Sequence, residues 1–442
     1  MLLAILTLAA PATVWRCYEE VFALAADGPR VFAGTDGGVL GRQEDGNWLQ
    51  VGADCPSDVR ELKVTSVGLL ARVGDGRVFL FTTSGWKRNG TGALQNPPLS
   101  FEAPKGSGGT RLTAVSSDGL YSFWNAKYYY RRSADGWSEV GPRPPTPLDY
   151  CVLRVGKELL AGTQQGLWKF DGDWKRVPLP SRLPISGRIE GIAGFDNKFL
   201  VGGSSGIYVG RPGDWKLVNK TRVRQIVREG DSAWVVYGSG AVDKIVPRLD
   251  RLYDDVLYGG AKRPWTGAMA LGDGVALFGG HGGWIEKSAK GISERYMDEL
   301  KGDVVTAILA RERLRWIGTQ KSGLVRYSGN GKPLVWNPGN GLSDTWVTAL
   351  AGTSRGIIVG TASKGLFLQK SFSIEPFPGP TQMVRCLLQY KNRVVVGGMD
   401  GAWIEDGAGW TKLDTNGEET TSLSTDGRLI VTTNRGVFFL SP

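Results

Sequence analysis

Residues Leu314–Tyr327 read LRWIGTQKSGLVRY, and this stretch decides the fold. An apolar run is followed by Gly-Thr, a few polar residues, a second glycine and another apolar run. Short runs rich in Val, Ile, Leu and aromatic residues, separated by a glycine turn, predict two β-strands joined by a tight hairpin. Such a turn needs positive φ, which glycine adopts without strain.

The same phrase recurs along the whole chain, eleven times in all. The other clear copies are Val31–Leu40, Leu159–Phe170, Phe199–Gly210, Ile357–Leu368, Val394–Glu405 and Leu429–Leu440, and worn copies begin at Leu69, Leu112, Trp234 and Val275. The last glycine of each copy runs from Gly38 to Gly436, which gives a mean period of about 40 residues. A fixed period of this size indicates a repeat architecture.

Each period contains more than the hairpin. Another apolar stretch, such as Val347–Ala351, precedes it, and a turn followed by a tryptophan, such as Asp173-Trp174, often comes after it. Four short strands make one β-propeller blade. We therefore predict an all-β chain of about eleven four-stranded blades in which the tryptophans pack between blades. A helical repeat is excluded because glycine, 64 of 442 residues, interrupts every 3.6-residue apolar pattern.

The number of blades bears on the number of rings. Propellers have about 4–8 blades, so we predict two in tandem, divided five plus six, six plus five or seven plus four. A single large ring is the alternative. The least repeat-like stretch, Val246–Pro264, places the boundary within residues 220–265. We assign residues 13–240 to the N-terminal propeller and 241–442 to the C-terminal one, whose last blade is closed by residues 14–20.

The charge of the chain limits its partners. Its 53 Lys and Arg exceed its 43 Asp and Glu, for a net charge of +10, but the basic residues are dispersed. Nucleic-acid binding requires a clustered basic patch, so we predict no nucleic-acid partner. A dispersed positive charge favours a protein or polysaccharide ligand, or an anionic surface. No segment approaches the length of a transmembrane helix.

The N-terminus and the cysteines indicate the cellular compartment. Met1–Ala12 (MLLAILTLAAPA) is apolar and ends in an A-x-A-like site, which predicts a signal peptide and a periplasmic or secreted protein. A buried first strand is the alternative. Cys17 and Cys55 flank the first blade, and we predict a disulfide between them if the chain is exported. Cys151 and Cys386 occupy equivalent repeat positions and are predicted to be buried small residues.

Residues 314–368 carry a more specific signal. They contain, in order, W-I-G-T, G-L-V-R-Y, N-G-L-S-D, V-T-A-L and V-G-T followed by G-L-F. This order resembles the two-component-regulator propeller repeat found in the extracytoplasmic sensing part of bacterial hybrid histidine kinases. The resemblance implies a ligand-sensing propeller, here free-standing without kinase domains. The blades also resemble those of WD-like and kelch-like propellers, so the resemblance does not name a ligand.

The sequence offers little catalytic chemistry. The only histidine, His281, lies in a glycine-rich turn, and Asp36, Asp75, Asp118 and Asp400 recur at one turn position, as turn-forming residues do. We therefore predict no catalytic residue, metal site or cofactor. A carboxylate pair in a propeller funnel is the enzymatic alternative, and would make the protein a carbohydrate-active enzyme.

Recognition is predicted in the loops that interrupt the repeat, since variable loops on a rigid scaffold commonly bind ligands. These loops are Thr83–Ser107, Arg143–Leu148, Pro178–Ile185, Arg248–Trp265 and Ser371–Pro380. The predicted binding residues in or near them are Trp86, Phe101, Arg143, Arg263, Trp265 and Phe377. The predicted function is non-enzymatic binding or sensing of a partner protein or glycan. The third alternative is an intracellular interaction scaffold.

The compartment can be tested on the mature protein. If Met1–Ala12 is an export signal, the chain isolated from its own cells begins near residue 13, because signal peptides are removed after export. Mass spectrometry of the intact protein measures this directly. Retention of Met1 would contradict export and favour the intracellular scaffold.

Overall fold

The structure of the protein is a computed structural model. It describes residues 14–52, 54–94, 104, 112–115, 119–123, 125–195, 198–246, 251–253, 266–300, 302–329, 332–380, 383–407 and 409–440. The predicted signal peptide lies outside these residues. Within them the regular structure is β-strand, apart from one 3-10 turn at Asp298–Leu300. None of the described segments forms a helix with the length and apolarity required to cross a membrane.

The strands form eleven four-stranded antiparallel sheets, which we call blades 1 to 11. Blades 1 to 10 each consist of four consecutive strands, from β2–β5 to β38–β41, and the sheet of blade 11 has the order β1-β44-β43-β42. The predicted blade content, one sheet of four short strands per period, is confirmed.

The chain divides into two compact units, Met1–Ser186 and Gly187–Pro442. The strands of the first unit are β1 Val14–Arg16, β2 Val21–Asp27, β3 Arg30–Thr35, β4 Val39–Arg42, β5 Trp48–Gln50, β6 Val59–Thr65, β7 Gly68–Val73, β8 Arg77–Thr82, β9 Gly85–Thr91, β10 Leu112–Val115, β11 Leu120–Phe123, β12 Tyr128–Ser133, β13 Gly136–Pro142, β14 Asp149–Val155, β15 Glu158–Thr163, β16 Gly166–Phe170 and β17 Trp174–Val177.

The strands of the second unit are β18 Ile189–Phe195, β19 Lys198–Gly203, β20 Gly206–Arg211, β21 Asp214–Asn219, β22 Val223–Glu229, β23 Ser232–Tyr237, β24 Val242–Val246, β25 Arg251–Tyr253, β26 Ala268–Gly272, β27 Val275–Gly279, β28 Gly283–Ser288, β29 Gly291–Tyr296, β30 Val305–Arg311, β31 Leu314–Thr319, β32 Leu324–Tyr327, β33 Leu334–Trp336, β34 Val347–Thr353, β35 Gly356–Thr361, β36 Leu366–Lys370, β37 Ser373–Phe377, β38 Val384–Tyr390, β39 Arg393–Gly398, β40 Gly401–Glu405, β41 Trp410–Lys412, β42 Thr420–Thr425, β43 Leu429–Thr433 and β44 Gly436–Leu440.

The first strands of the blades show how each unit is arranged. In the first unit β10 packs on β14, β14 on β2 and β2 on β6, so blade 4 returns to blade 1. We call this the four-blade unit. In the second unit the first strands of blades 5 to 11 pack in chain order, and β42 of blade 11 packs on β18 of blade 5. This seven-blade unit is therefore a closed ring.

The division differs from the one predicted at residues 240 and 241. It falls after Ser186, at the end of the irregular Pro178–Ile185 loop. The irregular stretch 246–264, which suggested the boundary, instead includes β25, the outer strand of blade 6. Blades close into a ring because their first strands pack together. The hairpin motif contains no information about which blades are neighbours, so it could not predict the division.

A glycine socket joins neighbouring blades. In blade 8, Gly318 of β31 pairs with Ala307, and a Cβ on Gly318 would lie 2.5 Å from Cγ1 of Val347, the first residue of blade 9. The side chain of Val347 therefore occupies the space left by the missing Cβ. The same socket is formed by Gly34 with Val59, Gly162 with Val21, Gly202 with Val223, Gly279 with Val305, Gly360 with Val384 and Gly397 with Thr420. The contact between Gly162 and Val21 joins blade 4 to blade 1.

The residues after each socket form the predicted hairpin turn. In blade 8 the Thr319 hydroxyl donates to the Gly323 carbonyl at 2.9 Å and accepts the Ser322 N–H at 2.9 Å. Gly323 has φ +81°, and a Cβ there would lie 2.1 Å from the Trp336 carbonyl oxygen. The structure thus explains each recurring position of the phrase Gly-Thr-x-x-x-Gly in blade 8. The first glycine forms the socket, the threonine hydroxyl bonds within the turn, and the last glycine has positive φ.

The tryptophans pack between blades, as predicted from their recurrence. Trp316 and Trp336 of blade 8 stack with ring centroids 5.9 Å apart in a core that includes Val347 of blade 9. The Trp174 indole of blade 4 donates to the Pro142 carbonyl of blade 3 at 3.1 Å. The Trp410 indole of blade 10 donates to the Pro378 carbonyl at 2.9 Å.

The socket predicts an asymmetry between glycines. Gly318→Ala places a methyl group against Val347, whereas Gly238→Ala meets no atom nearer than 3.7 Å. Overpacking a core typically costs about 1–3 kcal/mol, while a tolerated change stays within about 0.5 kcal/mol. Urea denaturation should therefore show a lower midpoint for Gly318→Ala only. Equal midpoints for the two variants would contradict the socket.

Candidate functional site

A β-bulge marks the start of almost every first strand. Pairing between the first and second strands shifts register at the second residue of the first strand in every blade but blade 7, as far as the pairs are described. A bulge leaves one residue out of the ladder and redirects its side chain. The bulge residues are Phe22, Arg60, Thr113, Tyr150, Glu190, Arg224, Thr306, Thr348, Arg385 and Thr421.

The bulges lie at one end of the blades, where the repeated hairpin also lies. In blade 8, Val305 pairs with Thr319, which opens the hairpin turn, and the Gln320 N–H donates to the Val304 carbonyl at 3.1 Å. First strands contact first strands of neighbouring blades, so they form the innermost layer of each unit. The bulge residues therefore surround the axis at this end, which we call the mouth.

The mouth of the four-blade unit is filled by its own side chains. The Phe22 and Tyr150 ring centroids lie 5.0 Å apart, and the Arg60 guanidinium carbon lies 3.7 Å from the Phe22 centroid. Arg60 also pairs with Asp58 at 2.6 Å. These residues come from three blades, and Phe22 is 7% exposed. A tilted aromatic pair and a cation–π contact thus occupy this mouth.

The mouth of the seven-blade unit has a different composition. Arg188 donates to both oxygens of Glu419, at 2.5 and 2.9 Å, and to Glu190 at 2.9 Å. Arg385 pairs with the same Glu419 carboxylate. Arg222 contacts Glu190 at 3.4 Å.

Arg224, the bulge residue next to Arg222, adds a fourth positive charge, on which both Glu190 and Arg222 act electrostatically. Four guanidinium groups thus surround two carboxylates. We call the six residues the arginine mouth: Arg188, Glu190, Arg222, Arg224, Arg385 and Glu419.

The two carboxylates are half-buried and less exposed than the arginines around them. The Glu190 and Glu419 side chains are each 12% exposed, whereas that of Arg222 is 64% exposed. Arg224 is also exposed. The acids therefore fix the inner arginines in place, and the outer arginines face solvent. The surface offered to a ligand is positive.

The electrostatics of Glu419 suit a fixed negative charge. Burial alone would raise the pKa of its carboxyl, but hydrogen bonds and charges from Arg188 and Arg385 outweigh it and lower the pKa below the ordinary value. The same hydrogen bonds raise the pKa of Arg188. Neither group exchanges a proton near neutral pH. Glu419 and Arg188 therefore stay paired as oppositely charged groups.

Two apolar side chains lie at the rim of this mouth. Met399, in the hairpin turn of blade 10, is 46% exposed, and its sulfur lies 3.3 Å from Nε of Arg385. Trp346, directly before the first strand of blade 9, is 37% exposed, and its carbonyl accepts the Ala362 N–H at 3.0 Å. The arginine mouth is thus flanked by an aromatic ring and a flexible thioether.

Of the residues predicted from the loops, Trp86 is buried and Arg143 is half-buried. The Trp86 indole donates to the Val51 carbonyl at 2.6 Å within a core cluster. Arg143 donates to the Phe123 and Ala126 carbonyls at 2.9 and 2.8 Å and pairs with the buried Asp149. Both side chains hold blades together, so neither is presented to a ligand.

Phe377 ends an outer strand and is half-buried. It packs edge-on against Trp410, and the Arg355 guanidinium lies 5.0 Å from its ring centroid. Arg355 is in turn held by Glu405. The remaining predicted binding residues, Phe101, Arg263 and Trp265, lie outside the described residues.

The predicted disulfide is absent from the structure. Cys17 and Cys55 are both buried thiols that are not joined to each other. The Cys55 sulfur accepts the Val39 N–H at 3.0 Å, and burial raises the pKa of the Cys17 thiol well above its usual range. Each thiol occupies the interior as a small apolar group with its own hydrogen-bond partners. Among the residues that the structure describes, no group of three His, Cys, Asp or Glu is placed to hold a metal ion.

The structure brings together residues that sequence reasoning missed. Residues 220–228 (KTRVRQIVR) are one of the densest basic groups of the sequence, but the repeat pattern does not show that they lie at the axis. A usable signal does exist: a charged residue directly after the first apolar residue of a first strand, as in Ile189-Glu190, Val223-Arg224 and Val384-Arg385. That position becomes the bulge.

Comparison with solved structures identifies proteins of the same architecture. No protein-family model matches the chain, and no curated protein is similar to it in sequence. PorZ, a surface component of the type-IX secretion system of Porphyromonas gingivalis, superposes with TM-score 0.53 at 12% identity, over 96% of this chain and 69% of that one. The extracellular domain of a putative hybrid two-component system of B. thetaiotaomicron gives TM-score 0.51 at 13% identity, over 96% and 68%.

The chain shares the fold of these proteins. The all-β propeller prediction is thereby confirmed. The resemblance of residues 314–368 to the two-component-regulator propeller repeat is confirmed as a likeness of fold.

The Arg188–Glu419 pair predicts a pH-dependent stability. The lowered pKa of Glu419 means that its ionised form stabilises the folded chain, and this contribution is lost as pH falls below the ordinary range for Glu. At neutral pH, Glu419→Gln should reduce the free energy of unfolding by about 1–3 kcal/mol. The difference from wild type should shrink as pH falls below about 4. Urea denaturation at several pH values measures it.

The exposed Glu299 supplies the control. Glu299→Gln should change stability by less than about 0.5 kcal/mol at any pH. A Glu419→Gln effect that is equally large at acid pH would contradict the charge-based account.

Proposed function

We propose that the protein is a non-enzymatic binding protein that recognises a partner protein or glycan at the mouth of its seven-blade unit. One observation carries the proposal: four arginines converge on two half-buried carboxylates at and beside the bulges around the axis. Polar and charged groups grouped in a concave centre are what a propeller uses to hold a ligand. The four-blade mouth, in contrast, is occupied by Phe22 and Tyr150.

The same geometry favours binding over glycoside hydrolysis. A glycosidase needs one carboxyl group with a raised pKa to protonate the leaving oxygen. At this mouth, the Glu419 carboxyl has a lowered pKa, and Glu190 is held by the guanidinium of Arg188. Both acids are engaged as counter-ions. A positively charged binding surface is the simpler role for such a cluster.

We also propose that the protein acts outside the cytoplasm. Met1–Ala12 has the composition of an export signal. One of the proteins that share its fold is described as an extracellular domain and another as a bacterial surface component. The intracellular scaffold stays the alternative.

The location of the site can be tested by blocking the mouth without changing its charge. Thr421 is a bulge residue there, and its hydroxyl donates to the Thr432 carbonyl at 3.2 Å. Thr421→Trp adds bulk at the mouth, and Thr421→Val keeps the size. Labelled wild-type protein and both variants would be applied to peptide and glycan arrays, with circular dichroism to check folding.

If the mouth is the binding site, some ligands will bind wild type and Thr421→Val with similar affinity. The affinity of these ligands for Thr421→Trp should be lower by at least about tenfold. Mass spectrometry of the bound ligands checks for chemical conversion. Conversion that disappears in Glu190→Gln or Glu419→Gln would establish the enzymatic alternative. Equal binding by folded Thr421→Trp would place the site elsewhere.

A further inference from the structure

We propose that the arginine mouth binds an acidic peptide segment of a partner protein, with carboxylates held by Arg222 and Arg224 and an apolar side chain packed against Trp346 and Met399. This inference rests on the proposed function and names the chemistry of the ligand. It is carried by the charge balance, by the exposure of the outer arginines and by the groups at the rim.

The charge balance leaves the mouth positive. Glu190 and Glu419 neutralise two of the four arginines, and both are half-buried acceptors of hydrogen bonds from Arg188. Arg222 is the most exposed of the paired arginines at this mouth, at 64%, and its contact with Glu190 is long, at 3.4 Å. A guanidinium presents a planar set of N–H donors that matches a carboxylate in a two-point contact. An incoming carboxylate would therefore balance the positive charge that Glu190 and Glu419 leave uncompensated.

The surrounding groups fit a peptide better than a sugar. Sugar recognition needs accessible hydroxyl donors and acceptors, but two of the three bulge threonines of this mouth use theirs internally, and the hydroxyl of the third, Thr348, is buried without a hydrogen-bond partner. Thr306 donates to the Val347 carbonyl of the next blade, and Thr421 donates to the Thr432 carbonyl. The exposed side-chain donors of the arginine mouth are guanidinium groups, which select anions.

The residues at the rim also favour a peptide ligand. Trp and Arg are the residue types that contribute most to protein interfaces. Methionine is over-represented on surfaces that adapt to varied side chains, because its thioether is flexible and polarizable. Trp346 and Met399 belong to neighbouring blades 9 and 10 and are among the exposed large hydrophobic residues. An acidic peptide with an embedded Leu or Phe satisfies both the charge and the rim.

Fluorescence anisotropy with defined peptides tests the inference. The probes are a labelled peptide of alternating Glu and Leu, its Gln-for-Glu counterpart, and a uronic-acid oligosaccharide. The proteins are wild type, the double variant Arg222→Gln/Arg224→Gln, the rim variant Trp346→Ala/Met399→Ala, and the control Arg211→Gln. Arg211 is exposed at the β20–β21 turn, at the opposite end of blade 5 from the mouth.

Wild type should bind the acidic peptide at least about tenfold more tightly than the Gln peptide, and more weakly as salt rises. The double arginine variant should lose about tenfold or more, and the rim variant about threefold or more, while Arg211→Gln stays within about twofold. All four proteins must unfold at similar urea concentrations.

The other outcomes overturn the inference in distinguishable ways. Tighter binding of the uronic-acid oligosaccharide that depends on the arginines and not on the rim would assign the mouth to an anionic glycan. Equal affinity for acidic and Gln peptides, or equal binding by the arginine variant, would refute charge recognition. If array ligands are still lost on Thr421→Trp, the proposed function survives that refutation. If Thr421→Trp binds everything normally, both fail.

Discussion

The structure depends on the contact between a glycine on one blade and a β-branched side chain on the next. Gly318 leaves a space beside its strand, and Val347 of the following blade fills it. The same contact recurs with Val or Thr in both units. Interiors are packed at near-crystalline density, so a gap of one methyl group at each junction would be costly. The glycine thus sets the distance between blades, and the valine fixes which blade lies beside it.

This contact also explains why the ring division was hard to predict. The hairpin glycine of every copy and the socket glycine of seven copies are visible in the sequence, and so the number of blades and their four-strand content were predictable. The partner is not visible, because any first-strand valine has the right shape. Gly162 accepts Val21, at the start of the chain, and not the first residue of the blade that follows it, Ile189. That choice closes the four-blade unit and leaves seven blades for the other.

The site was less predictable than the fold, and the reasons are physical. Loops that depart from the repeat predict Trp86 and Arg143 as binding residues. In the structure, the polar atoms of both side chains have hydrogen-bond partners within the protein. A loop that departs from the repeat can hold side chains that anchor it to the protein, as well as side chains that bind a ligand. The residues at the axis, such as Glu190 and Arg385, lie inside regular strands and so look like ordinary repeat positions. Their significance comes from the bulge, a feature of strand pairing that requires coordinates.

The bulge has a consequence for how such a protein changes over evolutionary time. A residue left out of the ladder contributes neither to strand pairing nor to the glycine socket, so mutation can exchange it while the scaffold persists. The four-blade unit carries Phe22, Arg60 and Tyr150 at these positions, and the seven-blade unit carries one acid, two arginines and three threonines. The same type of blade thus supports a mouth occupied by aromatic side chains in one unit and a charged mouth in the other. Ligand preference can drift at a few codons, independently of the selection that preserves the blades.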